Sequence, residues 1–442
     1  MINGNNEANP LLSIRVPLSK IRHYLSTFEL TRGFLIALLN AAFIYLEALD
    51  LSQPLITTLF GIAALYLLLG SGNKTWFFYG FFTGLFWFWW IGLSFFHYSM
   101  PWAIPLVLLA VAGIYGILLW LIAKTAYTIQ SRFPSALQPL PSLIIQSIGL
   151  LVMSYIHPFD FDWFKPELVF TNSYLGIQKW QFALILSALI LTRWKKRFVY
   201  LLPILLAYQP TSSAPQKIPE NIQLVTTYTT VEKKWDKTLH AAQFEKLFAS
   251  IDRAIDGNKT LVILPESVFP VFIGHTEMLM KALRQRAQKI SIVTGGLYWD
   301  GETPRNSTYI FTNDKITVAN KVILVPFGES NPLPDFLSKW VNDIFYDGAV
   351  DYKASKEVID YTIDGTTYRN AICFEATSEK LYEGEPENMI VLSNNGWFVP
   401  SIEPALQRVL LQYYSKKYGT TIYHAVNMAP SYMIRKGRMT EI

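Results

Sequence analysis

The sequence predicts a membrane protein in two parts: a multi-span α-helical membrane domain, followed by an α/β domain of layered strands and helices. Of the 442 residues, 51% are hydrophobic and only 16% are charged, which is too apolar for an ordinary soluble protein of this length. The apolar excess lies between residues 33 and 209, and short strands alternate with helices after residue 220. The modest net charge of +5, with basic residues flanking apolar segments, predicts a lipid bilayer as partner and argues against nucleic acid.

The first part begins with a polar segment and continues with seven apolar segments. Residues 1–32 lack the apolar core and cleavage site of a signal peptide, so we expect a cytoplasmic N-terminal segment. A membrane-spanning helix needs about 20 apolar residues, which makes the seventh segment, with Pro203 inside it, the weakest candidate. The predicted spans are 33–49, 54–70, 76–97, 102–122, 141–157, 174–192 and 198–209.

The charges of the loops predict the orientation of these spans. With a cytoplasmic N-terminus, the inner loops carry most of the basic residues, including the cluster at 193–197, and the outer loops carry acids such as Asp160 and Glu167. An odd number of spans then delivers the second domain, after a linker at 210–219, to the extracytoplasmic side. Loss of the seventh span would reverse this conclusion.

The second part, residues 220–442, reads as an α/β domain in which several strands end in polar residues. In α/β folds such strand ends carry the chemistry. We expect helices at 237–255, 278–289 and 404–418, and strands at 222–230, 260–264, 290–293, 389–393 and 421–426, a hairpin-rich run up to residue 325 and a further strand that ends at Cys373.

Three of the polar strand ends form a candidate catalytic set. Cys373 is the only cysteine of the chain, Glu266 follows a buried strand, and Lys321 precedes an apolar run. A thiol needs a base to become a nucleophile, and the oxyanion that its attack creates needs a positive donor. Each residue also has an ordinary alternative, as a helix cap, a solvated hairpin residue or a small buried hydrophobe. The residues alone leave these alternatives open.

Four motifs resemble the signature set of the nitrilase (carbon-nitrogen hydrolase) superfamily, in the same order and with matching internal spacing. Together with the multi-span N-terminal half and Lys234-Trp-Asp236, they are similar to the membrane-anchored branch, the apolipoprotein N-acyltransferase family. The chain departs from that pattern at Asn395-Gly396, where an acidic residue followed by a small one is more usual, and it ends at Ile442, where members commonly continue. The four motifs are Leu264-Pro-Glu266, Lys321 with Val325-Pro-Phe-Gly-Glu329, Ile372-Cys-Phe-Glu375 and Ser393-Asn-Asn-Gly-Trp-Phe398.

The resemblance implies a four-layer αββα sandwich and a role for each matching residue. Glu266 would be the general base, Lys321 the oxyanion-stabilising cation and Cys373 the nucleophile. The backbone amide of Phe374 would be a second oxyanion donor. The supporting residues that it implies are Glu329, Glu375 and Trp235.

The resemblance also implies a ping-pong reaction in a bacterial inner membrane, with the catalytic domain in the periplasm. An acyl chain moves from a phospholipid, usually phosphatidylethanolamine, to Cys373 as a thioester and then to the diacylglyceryl-cysteine amine of an apolipoprotein. No cofactor or metal is expected, and no pair of histidines has metal-ligand spacing. The alternatives are a membrane-anchored amidase with the same triad and a non-enzymatic binding protein. The apolar stretches 267–274 and 333–346 are candidate lids over the site, or else they pack on the core.

Overall fold

The structure is a computed structural model that describes residues 27–210, 216–330 and 352–442. Its first part is helical. By length and composition, three helical stretches among the described residues can cross a membrane: Thr27–Ala48, Asn73–His97 and Pro101–Gln130. The helices are α1 (Thr27–Ala48), α2 (Pro54–Leu68), α3 (Asn73–Phe88), α4 (Ser94–His97), α5 (Ile104–Gln130), α6 (Leu140–Met153) and α7 (Lys179–Lys195).

The seventh apolar segment differs from a membrane-spanning α-helix. Phe198–Ala207 forms a 3₁₀ helix of 10 residues, which at about 2.0 Å per residue extends about 20 Å, less than the hydrocarbon core of about 30 Å. Its end nevertheless returns to the beginning of α7, because Leu175 and Tyr208 form an antiparallel bridge and the Gln209 amide donates to the Tyr174 carbonyl at 2.9 Å. The chain therefore leaves this helical hairpin at the level where α7 begins.

The second part contains two six-stranded sheets among the described residues. In the first sheet the order is β1-β2-β4-β5-β6, and β3 also pairs with β4; in the second the order is β12-β11-β10-β9-β8-β7. The strands are β1 (Ile222–Leu224), β2 (Leu261–Ile263), β3 (Phe269–Phe272), β4 (Ser291–Trp299), β5 (Pro304–Thr312), β6 (Lys315–Asn320), β7 (Asp360–Ile363), β8 (Thr366–Ile372), β9 (Asn388–Asn394), β10 (Thr421–Asn427), β11 (Tyr432–Arg435) and β12 (Arg438–Glu441).

The alternation of side chains along the strands builds four layers. In β2, Leu261 and Ile263 pack between the two sheets, whereas Val262 faces a second core beneath the helices α9 (His240–Asp256) and α10 (Glu277–Ala287). Successive residues of a strand point to opposite faces, so this short apolar run serves both cores. The other side of the second sheet is covered by α11 (Glu403–Tyr418), which confirms the predicted αββα sandwich.

Helix α11 also joins the sandwich to the membrane helices. Buried side chains of β9, α11 and α1 belong to one continuous apolar core. On the polar side of this contact, Arg408 Nε donates to Glu47 Oε1 at 3.0 Å, and Asn172 Nδ2 donates to Gln412 Oε1 at 3.0 Å. The second sheet, which contains β8 and therefore positions Cys373, is thus the sheet nearest the membrane helices.

The structure corrects several sequence expectations. The strand expected at 222–230 ends at Leu224, and the chain then enters the short helix α8 (Val231–Trp235). The candidate lid at 267–274 contains β3, whose Phe269 is buried against Phe244. Of the two alternatives for this stretch, Phe269 therefore follows the second, because it packs on the domain core. The second candidate lid, 333–346, lies outside the described residues, and β7, β11 and β12 had not been predicted.

Candidate active site

The structure brings Glu266, Lys321 and Cys373 together at the ends of their strands. Glu266 follows β2, Lys321 follows β6 directly and Cys373 follows β8. Lys321 Nζ lies 4.0 Å from Glu266 Oε1. The charges of these two residues act on the thiol of Cys373. In addition to the effect of burial, the charge of Glu266 raises the pKa of the thiol and the charge of Lys321 lowers it. The three residues therefore form one cluster across the two sheets.

Two carboxylates share one ammonium and one amide in this cluster. Lys321 Nζ lies 2.7 Å from Glu329 Oε2. Asn306 Nδ2 donates to Glu266 Oε1 at 2.8 Å and to Glu329 Oε1 at 2.9 Å. Glu329 Oε2 also accepts from the backbone amide of Val325 at 2.9 Å, which closes the turn in which it lies. The predicted supporting residue Glu329 therefore holds Lys321 beside Glu266.

The pKa shifts of Glu266 and Lys321 suit a general base and a permanent cation. Burial raises the pKa of Glu266, Glu329 raises it further, and Lys321 opposes both. Burial by itself would lower the pKa of Lys321, but the carboxylates of Glu329 and Glu266 outweigh it and hold that pKa above its ordinary value. Glu266 is thus a carboxylate with an increased proton affinity, and Lys321 remains an ammonium.

Cys373 occupies an unusual backbone conformation at the end of β8. Its φ of 53° lies in the left-handed region, which non-glycine residues seldom adopt. It begins the 3₁₀ helix Cys373–Thr377. Phe374 is the second residue of this helix, where an amide has no intrahelical carbonyl to bind. Desolvation raises the pKa of the thiol, so the sulfur needs a base before it can attack.

Glu375 connects the turn of Cys373 to the segment that follows Lys321. Its Oε1 accepts from the Ile372 amide at 2.8 Å, and its Oε2 accepts from the amides of Val322 and Ile323 at 2.7 and 3.1 Å. Burial raises its pKa to about 7 against these hydrogen bonds and the charge of Lys321. One side chain therefore fixes the turn that carries Cys373 relative to the segment that follows Lys321.

The remaining predicted residue, Trp235, is not brought into this cluster. Its side chain is 43% exposed, and no hydrogen bond or ring contact joins it to the catalytic set among the described residues. Its neighbour Lys234 is buried and donates from Nζ to the Glu266 carbonyl at 3.2 Å. Burial lowers the pKa of Lys234 to about 8, whereas Glu266 and Cys373 oppose that change. The structure thus brings Lys234 of this motif to Glu266, and a role for Trp235 stays a prediction.

Sequence reasoning also missed polar residues that reach the site from other elements. Asn306 lies in β5, paired with the strand that leads to Lys321, and it stands among polar residues, so nothing in the sequence separates it from its neighbours. Gln407 lies in α11, and its Nε2 is 3.9 Å from Cys373 Sγ. Nothing local in the sequence connects α11 to the cysteine, because 34 residues separate the two.

Aromatic residues of the membrane part form the other side of the nucleophile's turn. The ring of Phe374 stacks on Phe161 at 5.6 Å and on Trp163 at 6.0 Å between centroids. Trp163 Nε1 donates to Thr377 Oγ1 at 2.7 Å. Trp90 packs edge-on against Phe398 at 4.8 Å. The site therefore has a charged side made by the sandwich and an apolar side made by the membrane part.

The protein is thus an αββα sandwich built onto membrane helices, with a glutamate, a lysine and a cysteine gathered at its strand ends, the arrangement that the resemblance to the carbon-nitrogen hydrolases implied. Residues 27–211 match the family model of the apolipoprotein N-acyltransferase integral membrane domain. The chain is 40% identical over 405 residues to the apolipoprotein N-acyltransferase of Wolinella succinogenes, covering 90% of this chain and 94% of that protein. It therefore belongs to the apolipoprotein N-acyltransferase family.

Other relatives agree with this assignment. The apolipoprotein N-acyltransferase of Helicobacter pylori is 32% identical, with 93% of this chain and 96% of that protein covered. The enzyme of the same name from Helicobacter hepaticus is 35% identical, with 88% and 96% covered. A solved carbon-nitrogen hydrolase superfamily protein from Xanthomonas campestris shares 15% identity over 50% of this chain and 85% of that chain, at a TM-score of 0.39, a likeness too low to add weight.

Proposed function

We propose that the protein is an N-acyltransferase that moves an acyl chain from a membrane phospholipid to the diacylglyceryl-cysteine amine of apolipoproteins, through a thioester on Cys373. The observation that carries this proposal is the position of Cys373. A carboxylate of raised pKa and a buried ammonium lie on one side of it, and aromatic residues of the membrane part lie on the other. Membership of the apolipoprotein N-acyltransferase family supports the same activity.

In the first half-reaction the phospholipid ester is the acyl donor. Glu266 removes the thiol proton while the sulfur attacks the ester carbonyl carbon. The ammonium of Lys321 and the amide of Phe374 stabilise the oxyanion. The carbon–oxygen bond of the ester then breaks, and Glu266 returns its proton to the departing alcohol. The products are a lysophospholipid and the acyl thioester of Cys373.

In the second half-reaction the amine of the lipidated cysteine replaces the phospholipid. The neutral amine attacks the thioester carbonyl, and Glu266 takes a proton from its nitrogen. Lys321 and Phe374 again stabilise the oxyanion. The carbon–sulfur bond breaks, and the proton on Glu266 passes to the sulfur, which restores the thiol. The net result is an amide and a free enzyme.

The membrane setting fits both substrates, which are lipid-anchored. A catalytic domain built onto the membrane helices meets them at the bilayer surface, so positioning replaces a search through solution. We propose phosphatidylethanolamine as the donor, and a bacterial inner membrane with seven membrane segments between 33 and 209. The catalytic domain, residues 220–442, would then lie in the periplasm and the N-terminus in the cytoplasm.

The test is a direct search for the thioester. Purified protein is incubated with phosphatidylethanolamine that carries a labelled acyl chain, and the protein band is assayed for label. We expect a labelled adduct that hydroxylamine removes and that Cys373→Ala does not form. A diacylglyceryl peptide should then discharge the label onto its amine. Hydrolysis of a small amide without a labelled adduct would instead support the amidase and contradict the transferase.

A further inference from the structure

A cluster of buried polar side chains, centred on Gln407 of helix α11, contacts the sulfur of Cys373. Gln407 Nε2 donates towards Cys373 Sγ at 3.9 Å, within the distance of a hydrogen bond to sulfur. Gln407 is 1% exposed. A helix face that only packs against a sheet is normally apolar, so a buried glutamine directed at the reacting atom calls for an explanation.

The orientation of this amide is fixed by further hydrogen bonds. Gln407 Nε2 also donates to Ser393 Oγ at 3.5 Å. Asn395 Nδ2 donates to Gln407 Oε1 at 3.4 Å and to Glu403 Oε2 at 2.9 Å. Glu403 lies four residues before Gln407, on the same face of α11. His424 Nε2 completes the cluster with a contact of 2.7 Å to Ser393 Oγ.

The cluster presents a neutral donor to the sulfur. Burial raises the pKa of Glu403 to about 8, with the Asn395 hydrogen bond opposing and Glu266 adding to the rise. Burial also lowers the pKa of His424 to about 3, which leaves the imidazole uncharged near neutral pH. Beyond burial, the charge of Glu266 raises the pKa of the Cys373 thiol, that of Lys321 lowers it, and that of Glu403, where ionised, adds to the rise, while a hydrogen bond with the Asn394 backbone lowers it. Lys234 lies beside this group.

A neutral donor is useful because the sulfur bears negative charge twice in each cycle. It does so when the thiol loses its proton, and again when the thioester breaks. Lys321 is already shared between two carboxylates, so its charge compensates a thiolate incompletely. The side-chain N–H of Gln407 can stabilise the thiolate by a hydrogen bond. Because the amide is neutral, it leaves the pKa of Glu266 unchanged.

We propose that Gln407 is a positioning residue of the acyl transfer, whose amide orients and stabilises the Cys373 thiolate, and that Glu403 holds this amide in place through Asn395. The inference deepens the proposed function and rests on it for its role in transfer. The stabilisation of the thiolate can nevertheless be measured without any lipid substrate. A failure of the proposed function is therefore distinguishable from a failure of this inference.

The test compares two buried glutamines of the same helix. Gln407→Met keeps the length of the side chain but removes the donor. Gln412→Met is the matched control, because Gln412 is also buried and contacts Asn172 of the membrane part, five residues further along α11. The probe is iodoacetamide, which can reach Cys373 because this residue is partly exposed. The measurement is the rate of alkylation of the single cysteine as a function of pH.

We expect the alkylation profile of Gln407→Met to move to higher pH by about one unit, a factor of about ten in thiolate population. The profile of Gln412→Met should coincide with that of the wild type. With labelled phosphatidylethanolamine, Gln407→Met should form the thioester about tenfold more slowly, with little change in KM. Unchanged profiles and unchanged thioester rates in Gln407→Met would overturn the inference.

Two further variants keep the inference testable if Gln407→Met does not fold. Gln407→Glu preserves the shape but places a carboxyl group beside the sulfur, so its alkylation profile should move further upward than that of Gln407→Met. Glu403→Leu and Glu403→Gln both remove a carboxyl group whose charge raises the pKa of the thiol, but only Glu403→Gln keeps an acceptor for Asn395. The profile of Glu403→Leu should therefore lie at higher pH than that of Glu403→Gln. Coinciding profiles of the two variants would overturn the part assigned to Glu403.

Discussion

At the scale of single residues, the sequence indicated the candidate catalytic residues Glu266, Lys321 and Cys373 but not the side chains that surround them. Glu266, Lys321 and Cys373 each end or follow a strand, and strand ends are readable from the apolar runs before them. Lys234 and Gln407 belong to helices, and no local rule says which residue of a helix faces a site built elsewhere. Their contribution depends on tertiary packing, and Trp235, which the resemblance implied, stays a prediction.

Lys234 is a buried cation that lowers the stability of the fold. Its pKa of about 8 is below the ordinary value of 10.5 because of burial. Between these two pH values the unfolded chain binds more protons than the native protein, so stability rises with pH across that window. Below pH 8 the shift corresponds to a penalty of up to about 3 kcal/mol. Because Lys234 Nζ donates to the Glu266 carbonyl, the same side chain holds the backbone of the proposed base in place.

We therefore expect Lys234→Met to stabilise the protein at pH 7 by up to about 3 kcal/mol and to slow thioester formation. The gain should shrink as the pH rises from 8 to 10.5. Denaturation of the detergent-solubilised protein, followed at several pH values, measures it. Lys233→Met, at an exposed neighbouring position, is the control and should change neither property. A Lys234→Met protein less stable than the wild type at pH 7 would contradict this account.

At the scale of elements, the order of strands and helices was predictable, but the function of one apolar stretch was not. Hydrophobic periodicity predicted β2, β9, β10, α9, α10 and α11 to within a few residues. An apolar loop and a short buried strand look alike in sequence, and 267–274 proved to contain β3. The strands β7, β11 and β12 have four residues each, so their periodic signal is weak.

The burial of β3 gives an expectation opposite to that of a lid. Phe269 is fully buried, and its ring contacts Phe244 edge-on at 5.0 Å. Phe272, three residues later, is only partly buried. We expect Phe269→Ala to lower the free energy of unfolding by about 3–5 kcal/mol, as for other buried aromatic residues, and Phe272→Ala to cost clearly less. Chemical denaturation of both variants measures this difference. Equal effects would mean that Phe269 is not part of the core.

At the scale of the whole molecule, composition predicted the two parts but not how they are joined. Arg408 and Glu47 are 361 residues apart in sequence, and Asn172 and Gln412 are 240 apart. No periodicity connects such residues. In the structure, α11 carries Gln407 towards the nucleophile and Arg408 towards membrane helix α1, at consecutive positions. The helix that supports the reacting sulfur is therefore also the helix that seats the sandwich on the membrane part.

The path of the whole chain also bears on the proposal that the site lies on the extracytoplasmic side. The 3₁₀ helix Phe198–Ala207 is short, yet it returns the chain to the level at which α7 begins. The basic residues at 193–197 lie at the other end of α7. If these residues are cytoplasmic, as the positive-inside rule requires, the catalytic domain must leave on the opposite face.

Because Cys373 is the only cysteine, a Cys373→Ala protein offers a background for testing this orientation. Lys196→Cys places a thiol beside the basic residues, and Glu302→Cys places one at a position 80% exposed in the catalytic domain. In spheroplasts, a membrane-impermeant maleimide should label Glu302→Cys at once and Lys196→Cys only after the membrane is permeabilised. Labelling of both in intact spheroplasts would show that the 20 Å hairpin does not cross the bilayer, and the reverse pattern would place the catalytic domain in the cytoplasm.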